Sequence, residues 1–327
     1  MKENSFCPIC ANKDLRLIAQ QNFKVQPDSG DFSQSRMNVL LKDVINREQM
    51  AFSTMICKDC RAIFFTPTFS PEQVTKMYSP EITEANEKAD AKAEGIAQKS
   101  WAQQRGILER MDSLAFQDEM MQQRAENLYS LVDSLANKPV TKVLDIGGGD
   151  GSLLKGFVHS KKYILDISRD AGQVNDLTFL SGTAEAKAQG PYDLIVLSHI
   201  LEHVLDPVGF VQMYKQMLSE QSLIYVEVPI EYVSIVLKKK CAPIGQHLTF
   251  FCKRSLIEVM NRCSMQVKYM KSELINYRKM ATAAIKAVMV LPGAPSENHS
   301  SKNKYPSYYL DLVGDIFLML KKRFSSR

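Results

Sequence analysis

The stretch Val143-Leu144-Asp145-Ile146-Gly147-Gly148-Gly149-Asp150-Gly151 decides the reading of this chain. An apolar run ends in glycines, and the helix-compatible Ser152-Leu153-Leu154-Lys155 follows. That pattern is a strand, a tight turn and a helix start, the entry to a ligand-binding α/β sheet. Glycine lets backbone approach a ligand and take positive φ. A phosphate-cradling loop would end in Gly-Lys-Ser/Thr, whereas Gly151 is followed directly by Ser152. A dinucleotide fingerprint would need a third glycine where Ser152 stands. What remains is D-x-G-x-G-x-G. A second short strand, Tyr163-Ile164-Leu165-Asp166, ends in an acid suited to accept from both hydroxyls of a ribose, a spacing that would also suit NAD.

Working outward, strands and helices alternate. Strands are expected at Lys142 to Ile146, Tyr163 to Ile167, Thr178 to Leu180, Asp193 to Ser198 and Leu223 to Val228. Alternation implies parallel strands with helices on both faces. Gln266 to Met270 is expected to add an antiparallel strand. Upstream, Pro71 to Ala136 reads as helical. Ser70-Pro71-Glu72 is a helix start, and Ile107, Leu108, Met111, Leu114 and Ala115, then Leu128, Leu131, Val132 and Leu135, recur at helical spacing.

Cys7-Pro8-Ile9-Cys10 and Cys57-Lys58-Asp59-Cys60 form two C-x-x-C knuckles. Four thiolates can close a tetrahedral structural zinc site, with a redox dithiol or ordinary thiols as the alternatives. The 46 residues between the knuckles exceed the usual ribbon spacing, so a β-rich insertion is expected from Phe23 to Phe52. Glycine commonly follows such pairs; here Ala11 and Arg61 do.

Net charge is +5, and it is uneven: nine basic residues face three acids between Arg278 and Arg327. The bulk of the chain is close to neutral and is not a nucleic-acid surface. Pro292-Gly293-Ala294-Pro295-Ser296 marks a break before the apolar Tyr308 to Phe324. That segment is read as a terminal helix docked on the protein or on a second copy, the alternative being membrane-surface contact by the basic tail. No run approaches a membrane span, and no secretory signal pattern precedes the first cysteines. Seven cysteines, an odd number, suit a reducing cytoplasm.

At the glycine loop the chain resembles the class I S-adenosylmethionine (SAM)-dependent methyltransferases. The resemblance continues through Tyr192-Asp193-Leu194-Ile195-Val196-Leu197-Ser198-His199-Ile200-Leu201-Glu202-His203-Val204-Leu205-Asp206-Pro207, then Ser222 to Pro229, then His247-Leu248-Thr249-Phe250-Phe251 with Ser255-Leu256. It covers about residues 124 to 272. It implies an α/β, Rossmann-like sheet that binds SAM through Asp145, Gly147, Gly149, Gly151 and Asp166. Thr183 and Ala184 fall where adenine is usually touched, although Thr183 replaces the usual acid. Ser198 and His199 fall beside the cofactor. His203, paired with Glu202, is the first choice for general base, and His247 is the second. Glu202 could tune the ring, although neighbours on a helix do not face one another.

The knuckles, the Thr66-Pro67…Ser70-Pro71-Glu72…Tyr78 stretch and this core together resemble the sugar C-methyltransferases, which act on nucleotide-linked deoxysugars. The resemblance places Tyr78 beside the acceptor. The expected division is a zinc-binding unit over 1–78, a helical linker over 79–137, a SAM-binding core over 138–275 and a basic extension over 276–327. The expected activity is methyl transfer to a sugar or saccharide, a small molecule, in surface polysaccharide or natural-product assembly. Two rivals stay open: O- or N-methylation of a lipid-linked or other small molecule, and a zinc-bearing adaptor that keeps the fold without the chemistry.

Overall fold

The computed structural model describes residues 5–26, 32–98, 114–167, 172–174, 176–238, 247–277 and 280–291. The expected spacing at Ile107, Leu108 and Met111, the break at Pro292 and the terminal apolar segment lie outside these residues.

Two sheets organise the described residues. The larger has eight strands: β4 (Lys142–Ile146), β5 (Lys161–Leu165), β6 (Gly172–Val174), β7 (Leu177–Leu180), β8 (Tyr192–Ser198), β9 (Leu218–Pro229), β11 (Gln266–Tyr277) and β12 (Met280–Val290). Their spatial order is β11-β12-β9-β8-β4-β5-β7-β6. The strands β7, β5, β4, β8 and β9 run parallel. The β11–β12 hairpin joins β9 antiparallel. From β4 the chain moves outward through β5 and β7, then returns to β8 on the other side. That reversal opens a crevice at the carboxyl ends of β4 and β8, where ligands of such sheets bind.

The central strands are apolar throughout because both faces are covered. Val143, Leu194 and Val196 pack with Leu128 and Val132 of helix α4 (Leu114–Leu135). Leu144, Ile146, Ile195 and Leu197 point the other way, into a core shared with the N-terminal residues. Each such side chain contributes about 1.5–3 kcal/mol on burial.

The second sheet orders β1 (Leu15–Lys24), β2 (Gln49–Cys57), β3 (Ile63–Thr66) and β10 (Thr249–Phe250). The last strand comes from the far end of the chain, with Thr249 opposite Phe64 and Phe250 opposite Ile63. Phe52 meets Phe23, Phe65 and Phe69, and Phe65 meets Phe250, at centroid distances of 5.8 to 6.5 Å. The methyltransferase-like segment thus completes the N-terminal sheet. Among the described residues three helices precede α4: α1 (Phe32–Val39), α2 (Pro71–Met77) and α3 (Pro80–Gln98). Ser70 caps α2 reciprocally with Gln73. Among the described residues four follow it: α5 (Thr183–Gln189), α6 (Pro207–Lys215), α7 (Tyr232–Lys238) and α8 (Lys253–Arg262). No helix among the described residues is long and apolar enough to cross a membrane.

Three expectations are corrected. The stretch from Phe23 to Phe52 is not mainly strand: β1 and β2 enter only its ends, and α1 and a π-helical turn over Leu40–Ile45 fill its middle. Met37, Leu40, Leu41, Val44 and Ile45 are buried, a 3–4 spacing that strands cannot use. The glycine loop opens no full helix; a single 3-10 turn over Ser152–Leu154 follows. The chain must instead pass close to α4 at Gly156, where a Cβ would sit 2.9 Å from the Ala125 carbonyl oxygen. Finally, β12 lies inside the stretch read as an extension from 276, yet it is an inner strand of the main sheet.

Candidate active site

The glycine loop follows β4 directly. Gly147, Gly149 and Gly151 take φ of 69°, 56° and 75°. At Gly151 a Cβ would also meet Leu177 Cδ1 at 2.6 Å, so an L side chain there would be strained by its φ and would have to push Leu177 aside. The Gly147 amide donates to the Leu165 carbonyl at 2.8 Å, and the Gly149 amide donates to Asp166 Oδ2 at 2.8 Å. Asp166 therefore ties the loop to the end of β5. Asp145 is 1% exposed, and its Oδ2 has no hydrogen-bond partner. Burial pushes its carboxyl up to about 8; the Arg124 charge opposes this, while Asp166 and Asp150 add to it. A buried acid with an unmet acceptor fits a cationic ligand group. Thr183 and Ala184 begin α5 just past β7, and Ser198 ends β8. All these residues stand at carboxyl ends of neighbouring strands.

Behind them runs a buried polar network that the sequence reading missed. Arg124 of α4 is 7% exposed and Glu227 of β9 is 2% exposed, and the two pair directly. Arg124 Nη2 also lies 3.3 Å from Ser198 Oγ. The Tyr225 hydroxyl donates to Glu227 Oε2 at 2.7 Å. His199 Nε2 lies 3.1 Å from Glu227 Oε1, and its Nδ1 lies 3.2 Å from Glu202 Oε1. His199 takes φ of 55°, a left-handed backbone that costs energy outside glycine. Its amide donates to the Glu227 carbonyl at 2.8 Å, which helps to hold it there. A signal for these residues existed. Arg124 lies on the apolar stripe of α4, one turn before Leu128, and Glu227 interrupts an apolar strand.

This network sets a pH dependence. Burial works against the charged His199 ring, but bonds to Glu202 and Glu227 outweigh it and raise it to about 9. Burial likewise opposes the Glu227 charge, yet His199 and Arg124 hold that carboxyl well below its usual range. The stability due to raised His199 is present below its ordinary 6.5 and is lost as pH rises through about 9. That due to Glu227 is present above its ordinary 4.5 and is lost as pH falls. The melting temperature of the wild type should therefore drop between neutral pH and pH about 10, and a His199→Asn variant should flatten this limb. A wild-type limb no steeper than the variant's would contradict the assignment.

A second cluster faces the crevice from the N-terminal side. Tyr78 follows α2, and its hydroxyl lies 2.7 Å from His203 Nδ1. The His203 and His247 rings meet edge to face at 4.8 Å. His247 Nδ1 lies 2.5 Å from Glu231 Oε2. Glu202 is buried with Oε2 unpartnered, and its Oε1 lies 4.0 Å from His203 Nε2. The closest histidine to Glu202 is therefore His199, not His203. The Leu248 amide donates to the Glu202 carbonyl at 2.6 Å, joining the two histidine segments. Burial opposes the His247 charge, but Glu231 and Glu202 raise its pKa above the ordinary value. Burial, then Glu202, pushes the Tyr78 phenol above its usual value.

Cys7, Cys10, Cys57 and Cys60 converge, with all four sulfurs within 4.8 Å of one another. Cys7 and Cys60 sulfurs are 3.5 Å apart, and those of Cys10 and Cys57 are 3.4 Å apart. A bond from Cys60 pulls the Cys7 thiol down to about 6, while burial pushes Cys10 up to about 11. The two knuckles repeat one geometry. Ala11 and Arg61 donate to the Cys7 and Cys57 carbonyls and take φ of 59° and 66°. The left-handed position that glycine usually fills is thus kept without glycine. Four soft donors in a closed, mostly buried group fit a tetrahedral metal ion.

Residues 120–264 match the family described as a methyltransferase domain. That segment carries the Rossmann-like α/β sheet of a methyltransferase domain, and the activity it confers is SAM-dependent methyl transfer. No curated protein matches the sequence. Among solved structures, the chain is similar to a 1,6-didemethyltoxoflavin-N1-methyltransferase from Burkholderia thailandensis, at 11% identity and a TM-score of 0.45, covering 72% of this chain and 98% of that one. It is also similar to the magnesium protoporphyrin IX methyltransferase of Synechocystis, at 16% identity and a TM-score of 0.38, covering 56% and 92%. The N-methyltransferase NodS from Bradyrhizobium japonicum gives 12% identity and a TM-score of 0.39, covering 57% and 96%.

Proposed function

We propose that the chain transfers a methyl group to a sugar or saccharide acceptor, carried on a nucleotide. The observation that supports this reading is a concavity of about 650 Å³ on the N-terminal sheet, lined by Met50, Ala51 and Pro67 beside a set of polar groups. Gln20, Asn22, Gln49, Ser53 and Thr66 line it with uncharged hydrogen-bonding groups, Arg47 adds one cation, and no described acid lines it. That set suits hydroxyl-rich ligands bearing an anionic group. Thr66 of the concavity ends β3, and β3 pairs with β10, which begins two residues after His247.

SAM, when bound, supplies an electrophilic methyl on a sulfonium. The glycine loop and Asp145 hold its amino-acid end, and Asp166 its ribose, with Thr183, Ala184, Ser198 and His199 along the walls. His247, held by Glu231, removes the acceptor proton. His203 and Tyr78 hold the acceptor oxygen, and Glu202 braces both histidine segments. This order of roles reverses the expectation that His203 is the first base, because the carboxylate partner belongs to His247. Residues 1–78 form a zinc-binding unit on Cys7, Cys10, Cys57 and Cys60, joined by the linker 79–137 to the core.

Asp166→Ala should weaken SAM binding at least about tenfold, since bonds to a charged acceptor contribute about 1.5–3 kcal/mol each. Calorimetry showing unchanged affinity would remove Asp166 from the site. For the acceptor, titration of nucleotide-linked sugars into protein loaded with S-adenosylhomocysteine should give saturable heat, weakened by Arg47→Ala. No binding by any of them would sink the saccharide reading.

A further inference from the structure

Glu202, His203 and His247 bring one potential ligand atom each to within 4.8 Å of the others. The carboxylate and the first ring share one 3-10 turn, Leu201–His203, just past β8. The second ring comes from the segment before β10, which the Leu248 amide ties to the Glu202 carbonyl at 2.6 Å. Glu202 is 1% exposed. Its Oε1 meets His199, while its Oε2 is buried with no hydrogen-bond partner. A buried carboxylate oxygen left unanswered is costly, and a cation is the group that answers it. Both rings are also engaged from outside at Nδ1. The Tyr78 hydroxyl lies 2.7 Å from that atom of His203, and Glu231 holds that of His247. Nε2 is then the atom each ring has to offer an ion, and His203 Nε2 lies 4.0 Å from Glu202 Oε1. A ring that ligates a metal through one nitrogen characteristically engages an oxygen with the other, which fixes its tautomer and orientation.

We propose that Glu202, His203 and His247 bind a divalent transition-metal ion of the zinc class, separate from the cysteine knuckles, and that the bound ion switches methyl transfer off. Two imidazoles and one carboxylate suit zinc and its neighbours, whereas magnesium and calcium prefer oxygen donors alone. Ion–donor distances of about 2.0–2.2 Å draw the three atoms closer together, and the two partly exposed rings can turn to allow it. A cluster that served acid–base work alone would have no use for the spare, buried carboxylate oxygen. The binding half of the proposal stands on this geometry. The switching half rests on His247 being the base: the ion takes the Nε2 lone pair that would accept the acceptor's proton.

The test titrates Zn²⁺ by calorimetry into the full chain already carrying one zinc, with methyl transfer followed in parallel. We expect one further equivalent in the wild type and in His159→Gln, whose exposed ring lies outside the cluster. His203→Gln should lose that equivalent. Glu231→Gln should keep it about 10- to 100-fold more weakly, the usual cost of removing a ligand's outer partner. S-adenosylhomocysteine affinity verifies that each variant is folded. No further equivalent in the wild type, one that survives intact in His203→Gln, or Mg²⁺ binding as tightly as Zn²⁺ would overturn the site. Wild-type turnover should fall as the equivalent binds, and unchanged or increased turnover would overturn the switch. A wild type that takes up the equivalent yet methylates no acceptor would support the site and overturn the proposed function instead.

Discussion

Protein purified without added metal is expected to carry about one zinc per chain, and Cys60→Ser is expected to lose it. The effect should be large, because apparent binding energies at structural zinc sites of small domains reach about 10–16 kcal/mol. It should also reach the active site by a traceable route. Cys252 Sγ contacts the Cys60 carbonyl, Arg262 donates to the Ile9 carbonyl, and Arg254 pairs with Asp59. These contacts bind the knuckles to α8 and to β10, just after His247. Tyr78 comes from the same N-terminal unit. None of these contacts involves the glycine loop or Asp166. Loss of metal should therefore abolish methyl transfer while S-adenosylhomocysteine still binds. A fully active, metal-free protein would refute the zinc assignment, and equal loss of cofactor binding would refute the route.

The second large effect is at His247. Its replacement by alanine should cut turnover about 10²- to 10⁴-fold, the usual contribution of a positioned base, with S-adenosylhomocysteine affinity retained. Glu231→Gln should cost less and lower the acid limb of the pH–rate profile, since the carboxylate raises the His247 pKa. Activity should rise with pH through a value above the ordinary 6.5 as the ring loses its proton. His203→Ala should weaken acceptor binding as well as turnover, because its ring is tied to Tyr78. A reversed pattern, with His203→Ala silencing turnover and His247→Ala near wild type, would exchange the two roles.

The parallel sheet was legible because its strands are continuous apolar runs ending in Asp145, Asp166 and Ser198. Period and punctuation both pointed to one crevice. The segment 32–45 was misread because its length between the knuckles was weighed above its 3–4 spacing. The 3-10 turn after Gly151 was hidden for another reason: Gly156 is dictated by the approach of α4, a tertiary contact that no local pattern reports. β12 was hidden too, because its small residues Ala281, Ala283, Ala284 and Ala287 read weakly as a strand, although their neighbours are fully buried between β11 and β9. The cluster itself was half visible. Tyr78, His203 and His247 stood out by resemblance; Arg124 and Glu227 show locally only as charges on apolar faces, and they and Glu231 take their roles from partners elsewhere in the chain.

The central claim is methyl transfer from SAM to a saccharide. The most direct test incubates the full chain with SAM and a panel of nucleotide-linked sugars, and locates the added methyl by mass spectrometry. The product should be heavier by one methylene, with the gain on the sugar fragment. Transfer confined to acceptors without a sugar, with every nucleotide-linked sugar returned unchanged, would contradict it.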